Sequence, residues 1–179
     1  MKRAVIAACV ISLAACNNSP EVHEENASVA DVQNKVANAV KGDSWVRPGR
    51  WESKVTIEEM SIPGMGDMTE QMKSMGKSID THASCLTEEE AKRPKEDFFA
   101  GDNKNCRYDH FNMAGGKIDA VMKCTGGDAT QVMTLTGGYT PDTYNMRMSM
   151  QSQGGSQAGM TMRMRVDAKR AGECTGKES

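Results

Sequence analysis

The chain is poor in aromatic residues, carries no excess of positive charge and has only one long apolar run. Aromatic residues make up 4% of the 179 residues, and 22 Lys and Arg are balanced by 24 Asp and Glu. Because nucleic-acid-binding surfaces are strongly basic, no nucleic-acid partner is expected. The mean hydropathy is −0.58, and beyond the N-terminus no stretch approaches the roughly 20 apolar residues of a membrane-spanning helix.

Recognisable catalytic motifs are also missing. The chain has no nucleophile elbow, phosphate-binding loop or His-Glu zinc motif. Only His82 and His110 remain as general bases in the predicted domain. Asp109 precedes His110, but neighbours on a strand point to opposite faces, which argues against a dyad. The run Glu88-Glu89-Glu90 is typical of a helix N-terminus. We therefore expect no enzyme activity and no cofactor.

The one long apolar run belongs to an export signal. A basic start, Met1-Lys2-Arg3, precedes an uncharged run that ends in Leu13-Ala14-Ala15-Cys16, which resembles the lipobox of bacterial lipoproteins. The pattern predicts a signal peptide over residues 1–15 and diacylglycerol and palmitate-type acyl chains on Cys16, which give stable membrane attachment. The enterobacterial sorting rule places Asp after the cysteine of inner-membrane lipoproteins. Asn17 therefore favours the periplasmic face of the outer membrane.

The mature chain is predicted to hold a tether, a helix and one domain. Residues 16–27 are polar and acidic, which predicts a flexible tether after the lipidated cysteine. A short amphipathic helix is predicted over residues 28–42 and is expected to dock on the domain. Its helical spacing is carried by four valines: Val29, Val32, Val36 and Val40. The domain occupies residues 47–174, and residues 175–179 are expected to be a disordered tail.

Four cysteines remain once Cys9 leaves with the signal and Cys16 takes lipid: Cys85, Cys106, Cys124 and Cys174. An even number in an exported domain predicts two disulfides. Two predicted strands flank a three-residue loop, Ala114-Gly115-Gly116. Cys106 and Cys124 each lie nine residues from Gly115, which places them opposite each other. We predict the pair Cys106–Cys124 and hence the pair Cys85–Cys174.

A zinc site is the alternative use of these cysteines. The spacings His82-x-x-Cys85 and Cys106-x-x-x-His110 are tolerable for zinc ligands. They match no specific zinc pattern, and an oxidising compartment favours disulfides. We therefore predict no metal at these residues.

Alternating residues and glycine turns predict a mainly β, β-rich α+β fold. A strand is expected over 50–60, an amphipathic helix over 68–79, a strand over 81–86 and a helix over 88–92 that Thr87 caps. Five strands follow between turns that include Gly137-Gly138: 105–113, 117–125, 129–136, 143–151 and 159–168. Short links imply antiparallel neighbours. The pattern predicts a curved antiparallel meander or half-barrel with one or two short covering helices, the 68–79 helix on the apolar face.

Several short stretches resemble one family. They are Gly49-Arg50-Trp51-Glu52, Cys85-Leu86-Thr87-Glu88-Glu89-Glu90-Ala91, Cys106-Arg107-Tyr108, Met122-Lys123-Cys124 and Arg170-Ala171-Gly172-Glu173-Cys174. Together they are similar to small proteobacterial envelope proteins catalogued as domain of unknown function 3617, over about residues 47–174. The resemblance implies an exported, often lipid-anchored, cysteine-bearing domain. It implies no reaction.

Fifteen methionines are the remaining distinctive feature. Alternation in two strands predicts a shared sheet face with Met146 opposite Met164, Met148 opposite Met162 and Met150 opposite Met160. Tyr108, Ile118, Met122, Met133 and Leu135 extend this surface. The predicted 68–79 helix faces it with Met68, Met72 and Met75.

Three interpretations of the methionines stay open. They fill a core, since Met packs irregular space. They form an adaptable surface for a hydrophobic ligand or an envelope protein partner. Or their thioethers bind Cu(I) or Ag(I). The sequence as a whole favours a lipid-anchored, non-enzymatic envelope protein that binds a hydrophobic ligand or partner. Soft-metal binding and a purely structural role are the alternatives.

Overall fold

The computed structural model of the protein describes residues 19–40, 45–75, 81–92 and 105–178. The predicted signal peptide and Cys16 lie outside the described residues. The described strands are β1 (Val22–Ser28), β2 (Gly49–Ile62), β3 (Gly66–Asp67), β4 (His82–Leu86), β5 (Cys106–Ala114), β6 (Lys117–Gly126), β7 (Ala129–Thr140), β8 (Thr143–Gly154) and β9 (Thr161–Gly172). The described helices are α1 (Val29–Ala39), α2 (Thr69–Met75), α3 (Glu88–Lys92) and a 3-10 turn at Gly155–Gln157.

All nine strands join one antiparallel sheet in the order β1-β5-β6-β7-β8-β9-β2-β3, and β4 pairs with β2. Strands β5 to β9 follow one another as hairpins, which confirms the predicted meander. The sheet stays open, with β1 at one edge. Within the described ranges no helix is both long and apolar enough to cross a bilayer.

The predicted tether is wrong over residues 22–27, because β1 lies there and pairs with β5 from Val22 opposite Met113 to Ser28 opposite Arg107. Val22 and Ala27 are buried, so the strand packs on the core with only two apolar side chains. Polar contacts hold its other face. His23 Nδ1 lies 3.1 Å from Asn112 Oδ1, and the hydrogen bonds with Glu21 and Asn112 raise the pKa of His23.

The helix predicted over residues 28–42 is confirmed as α1, although residues 41–42 lie outside the described part. The Ser28 hydroxyl accepts a hydrogen bond from the Asp31 backbone N–H at 3.1 Å, as an N-cap does. Val32 and Val36 are 0% and 1% exposed, and the helix packs against β1 and β5. Helix α1 therefore docks on the domain, as predicted.

The helix that covers the core is α1, whereas the 68–79 helix was expected there. Its described part, α2, packs against the far end of β2, where the Met60 backbone N–H donates to Thr69 Oγ1 at 2.9 Å. Residues 76–79 lie outside the described part. The third helix is capped as predicted, since the backbone N–H groups of Thr87 and Glu90 each donate to the other's side chain.

Both predicted disulfides are present. The Cα atoms are 4.0 Å apart in Cys106–Cys124 and 5.5 Å apart in Cys85–Cys174. The turn between β5 and β6 differs from the predicted three-residue loop. It has two residues, Gly115 and Gly116, both with positive φ, as a type I′ turn requires. A β-bulge between Tyr108 and His110 restores the register that brings the cysteines together.

The predicted turn at Gly137-Gly138 is wrong, because β7 continues through both glycines to Thr140. Gly137 lies opposite Met146, and a Cβ atom at position 137 would lie 2.2 Å from the Asn145 backbone oxygen. Glycine here allows two backbones and a bulky Met side chain to approach closely. The turn itself lies at residues 141–142.

Residues 175–178, expected to be a disordered tail, fold back on themselves and on β2. The Glu178 carboxylate accepts hydrogen bonds from the backbone N–H groups of Thr175 and Gly176, each at 2.9 Å. The bond from Thr175 is the main reason that the pKa of Glu178 falls to about 2. Arg50 lies 3.8 Å from the same carboxylate.

Candidate functional site

The sheet has an inner face, which we define as the face that α1 packs against. The valines of α1 share one apolar cluster with side chains from β1, β5, β6, β7 and β8. Because side chains alternate along a strand, membership of this cluster fixes which residues of each strand point inward. The cross-strand pairs then extend the inner face across β9 and β2.

Methionines from six strands meet on this inner face, but not in the predicted pairs. Met150 lies opposite Met162, Met148 opposite Met164, and Met146 opposite Val166. The predicted register is wrong by two residues, because the β8–β9 loop closes where the Ser152 N–H donates to the Met160 oxygen at 2.9 Å. A shift by two leaves every side chain on its face, so the shared methionine surface is retained.

The inner face divides into two parts that differ in burial. The part near α1, here called the covered patch, consists of Tyr108, Phe111, Met113, Ile118, Ala120 and Met122, which are all 0–3% exposed. The part beyond it, here called the open patch, is only half-buried and consists of Ile57, Met60, Met133, Leu135, Met148, Met150, Met162 and Met164. Met146 is buried at the boundary. The open patch spans four strands, about 14 Å at ordinary strand spacing.

The other predicted methionines lie around the open patch. Met160 is half-buried just before β9. The Met68 backbone N–H donates to the Met60 oxygen at 2.7 Å, which places Met68 beside the β2 edge of the open patch, and Met72 lies one turn further along α2. Both side chains are half-buried. The side chain of Met75 lies outside the described part.

Two hydroxyl groups on the inner face are buried and, within the described part of the chain, lack a hydrogen-bond partner. They belong to Tyr108 and Ser152, and both residues are 3% exposed. Tyr108 shares a cross-strand row with Met122, Met133 and Met150. Ser152 follows Met150 by two residues on the same face. The sequence pattern predicts Tyr108 on this surface but does not predict Ser152, which carries no apolar signal of its own.

Burial also governs the ionisation of the three tyrosines. It raises the pKa of Tyr108 to about 12 and raises the pKa values of Tyr139 and Tyr144 above their ordinary value. A phenol whose pKa is raised by folding contributes stability below the unfolded pKa of about 10, and that stability is lost as the pH rises further.

We therefore expect the folded protein to form no phenolate until the pH is above about 10, with the three tyrosines titrating at about pH 10 in denaturant. Near-ultraviolet absorbance against pH measures this directly, and the urea midpoint should fall over the same alkaline range. A tyrosine that titrates normally in the folded protein would contradict the described packing of its ring.

The outer face of the same strands is polar and its charges are paired. Arg147 lies 3.3 Å from Glu58, Arg163 lies 3.0 Å from Glu59, and Arg165 lies 2.7 Å from Asp167. Each of these exposed ion pairs contributes little stability. Because each of the three arginines has an acidic partner, they do not form an unpaired basic patch on the outer face. The alternation that puts the methionines on one face thus puts these arginines on the other, with acidic partners from β2 and β9.

The geometry does not support a zinc site at the cysteines and histidines, or a dyad of Asp109 with His110. All four domain cysteines are in disulfides, and the described residues contain no group of three or more His, Cys, Asp or Glu side chains that could hold a metal ion. His110 Nε2 lies 2.6 Å from Asp119, whereas Asp109 lies 2.7 Å from Lys123. Neighbouring Asp109 and His110 thus have separate partners.

Three of the five stretches that carry the family resemblance, at residues 49–52, 85–91 and 170–174, meet at one end of the sheet. The start of β2 pairs with β4 on one side and with the end of β9 on the other, and the Cys85–Cys174 disulfide joins those two neighbours. Gly49 is required there, since a Cβ atom would lie 2.4 Å from the Gly172 oxygen. Arg170 Nε donates to the Pro48 oxygen at 2.7 Å.

Comparison with known proteins identifies a family for this chain. Searches of curated proteins and of solved structures return no match. The family model described as "Protein of unknown function (DUF3617)" matches residues 46–174, which include the converging stretches, both disulfides and the open patch. Strand β1 and helix α1 precede the match, so the cover over the core is supplied from outside the family domain. The chain belongs to the DUF3617 family.

Proposed function

We propose that the protein is a lipid-anchored, non-enzymatic envelope module that binds the acyl chain of a membrane lipid at the open patch. The observation that carries the proposal is the contrast in burial on one sheet face. The covered patch is sealed by α1, while the neighbouring apolar side chains remain half-buried. Contiguous apolar surface left open on a folded domain is typical of a binding site.

The residue type supports an adaptable ligand site. Six of the eight side chains in the open patch are methionines, whose flexible thioethers repack around different apolar shapes. A core built only for stability is better served by Leu, Ile and Val, which specify packing more sharply. An acyl chain lying across the four strands contacts methionines from each strand in turn.

The predicted anchor holds the domain near a source of acyl chains. Pro20 is buried in the fold, so only three residues separate it from Cys16. At most about 14 Å of extended chain then joins the lipidated residue to the domain. The predicted attachment to the periplasmic face of the outer membrane thus holds the domain close to the bilayer surface.

The test compares two Met→Asp variants of the mature chain, exported with Cys16→Ser so that no anchor lipid is present. Native mass spectrometry should detect a lipid adduct, and the apolar dye N-phenyl-1-naphthylamine should bind and be displaced by lipid. Met150→Asp should weaken dye binding at least about tenfold, because an unpaired charge beneath an apolar ligand is strongly unfavourable.

Met65→Asp is the matched control, because Met65 is 65% exposed and lies in the turn after β2. It should bind dye as the parent does. A parent protein that emerges without lipid and takes up no dye would contradict the proposal and favour a structural role.

A soft-metal site is the second candidate, because five methionines lie in one cross-strand row: Met122, Met133, Met150, Met162 and Met60. Thioethers in such a row suit Cu(I) or Ag(I). Met150→Leu with Met162→Leu separates the two functions, since leucine keeps the apolar surface and removes sulfur. Loss of Cu(I) binding with retained dye binding would favour metal; loss of neither would favour the lipid site.

A further inference from the structure

We propose that the open patch is occupied by the protein's own lipid anchor, through one of the acyl chains predicted on Cys16. This inference rests on the proposed function and names the ligand of the same site. Three observations support it: where the described chain begins, how few residues separate that point from Cys16, and which side chains lead from it to the open patch.

The chain enters the fold on the inner side of the sheet and close to β7. Val22 lies opposite Met113, so β1 itself is at the edge of the sheet, three strands away from β7. Two residues earlier, the Pro20 carbonyl oxygen lies only 3.5 Å from the Tyr139 hydroxyl oxygen of β7. Tyr139 belongs to the apolar cluster of the inner face, and Pro20 is buried. The described chain therefore begins on the face that carries the open patch.

A line of apolar inner-face side chains leads from this entry point to the open patch. Tyr139 lies opposite Tyr144, and the next inner-face residues along β8 are Met146, Met148 and Met150. Tyr144 is half-buried, Met146 is buried, and the two further methionines belong to the open patch. None of these side chains carries a charge. An acyl chain that starts near the entry point thus reaches the open patch without desolvating an ionised group.

The reach of the anchor matches this distance. Residues 17–19 separate Cys16 from Pro20, and an extended chain of this length spans at most about 14 Å. An acyl chain adds about 15 Å, which is half of the roughly 30 Å hydrocarbon core of a bilayer. The open patch begins at Leu135, four residues from Tyr139 along β7, or about 13 Å at the ordinary rise of a strand. An acyl chain on Cys16 is thus long enough to lie across the open patch.

A tethered acyl chain has an advantage over a free membrane lipid. Free lipid loses translational and rotational freedom when it binds, whereas a ligand joined to the protein by a short linker acts at an effective concentration in the millimolar range. The other acyl chains predicted on Cys16 stay in the bilayer, and two chains suffice for stable attachment. The anchor therefore holds the protein at the membrane while it occupies the open patch.

The test uses the lipidated mature protein in vesicles of phosphatidylethanolamine and phosphatidylglycerol, with photo-methionine in place of methionine. Ultraviolet light converts each photo-methionine to a carbene, which inserts into whatever touches the side chain. Peptide mass spectrometry then separates cross-links to the acyl groups of the Cys16 peptide from cross-links to phospholipid. A mixture of isotope-labelled and unlabelled protein separates the anchor of the same chain from the anchor of a second copy.

We expect Met148, Met150 and Met164 to cross-link to the acyl groups on Cys16 of the same chain at least about tenfold more often than Met65, which is 65% exposed and is the matched control. Met150→Asp should remove these cross-links at Met148 and Met164, because it puts an unpaired charge beneath the acyl chain. Met65→Asp should leave them unchanged.

Cross-links from the open patch to phospholipid alone, or to the anchor of a second copy, would overturn the inference and leave the proposed function intact. Open-patch methionines that cross-link to no acyl chain at all would overturn both. Cys16→Ser should remove the anchor cross-links and leave the patch free, so added lipid and dye are measured on the Cys16→Ser chain.

Discussion

Replacing Cys85 and Cys174 by serine is expected to lower the free energy of unfolding by about 4–5 kcal/mol. The bridge closes a loop of 89 residues, so its loss gives the unfolded chain much more freedom. It also joins β4, whose strand partner among the described residues is the first half of β2, to the residues just after β9. Urea unfolding of the exported protein measures the change.

Replacing Cys106 and Cys124 by serine is the comparison. That bridge closes a loop of 18 residues, for which the same chain-entropy relation gives about 3 kcal/mol. The larger effect should therefore belong to the long loop, with β4 losing protection first in hydrogen exchange. If the short-loop variant proves the less stable of the two, the assignment of β4 as the strand that depends on its bridge is contradicted.

Val36→Asp in α1 is expected to cost about 3–5 kcal/mol, or to release α1 from the sheet, because it puts an unpaired charge into an apolar site. Val36 is 1% exposed and belongs to the cluster that seals the covered patch. Release of the helix should expose Met113 and Met122, which are otherwise 0% and 2% exposed. Thermal unfolding and peroxide oxidation of these two methionines measure the effect.

Two controls separate this effect from a general sensitivity to charge. Asn38→Asp adds the same charge on the exposed side of α1 and should change stability by less than about 0.5 kcal/mol. Met72→Asp on α2 should cost less than Val36→Asp, since α2 packs mainly against the end of β2 within the described part. A larger effect at Met72 would mean that α2, and not α1, covers the core.

The disulfide pairs were predictable from sequence although the turn between their strands was not. The prediction assumed a three-residue loop around Gly115, and the chain instead combines a two-residue turn with a bulge near Asp109. The two deviations cancel in the register. A bulge is an extra residue that simple alternation does not reveal. The predicted cysteine pair is therefore correct, although the predicted length of the turn is not.

Glycines and edge strands account for the errors in the fold. The sequence predicts a turn at Gly137, but Gly137 lies in β7 and makes room for Met146. The sequence predicts a tether where β1 lies, because β1 has only two buried apolar residues and many polar ones. Its pairing depends on partners far along the chain, such as Asn112 for His23, and the local composition of residues 22–28 does not indicate these partners.

The methionine face could be predicted, whereas its division into two patches could not. Alternation assigns each Met to a face, and a register error of two residues preserves that assignment. Which methionines stay open depends on where α1 docks, and that is set by the pairing of β1 with β5. The unpartnered hydroxyl of Ser152 likewise becomes visible only once its burial is known.

Peroxide oxidation of each methionine, followed by peptide mass spectrometry with and without 1-monopalmitoylglycerol, tests the central claim most directly. Thioethers oxidise according to their exposure, so exposed and buried methionines of the same chain serve as internal references for the oxidation rate. Met65, which is 65% exposed, should oxidise fast in both samples, and Met113 and Met122 slowly in both. Met133, Met148, Met150, Met162 and Met164 should oxidise at an intermediate rate alone and become protected by lipid. If these five methionines oxidise no faster than Met113, or gain no protection from lipid, the open patch is not the binding site.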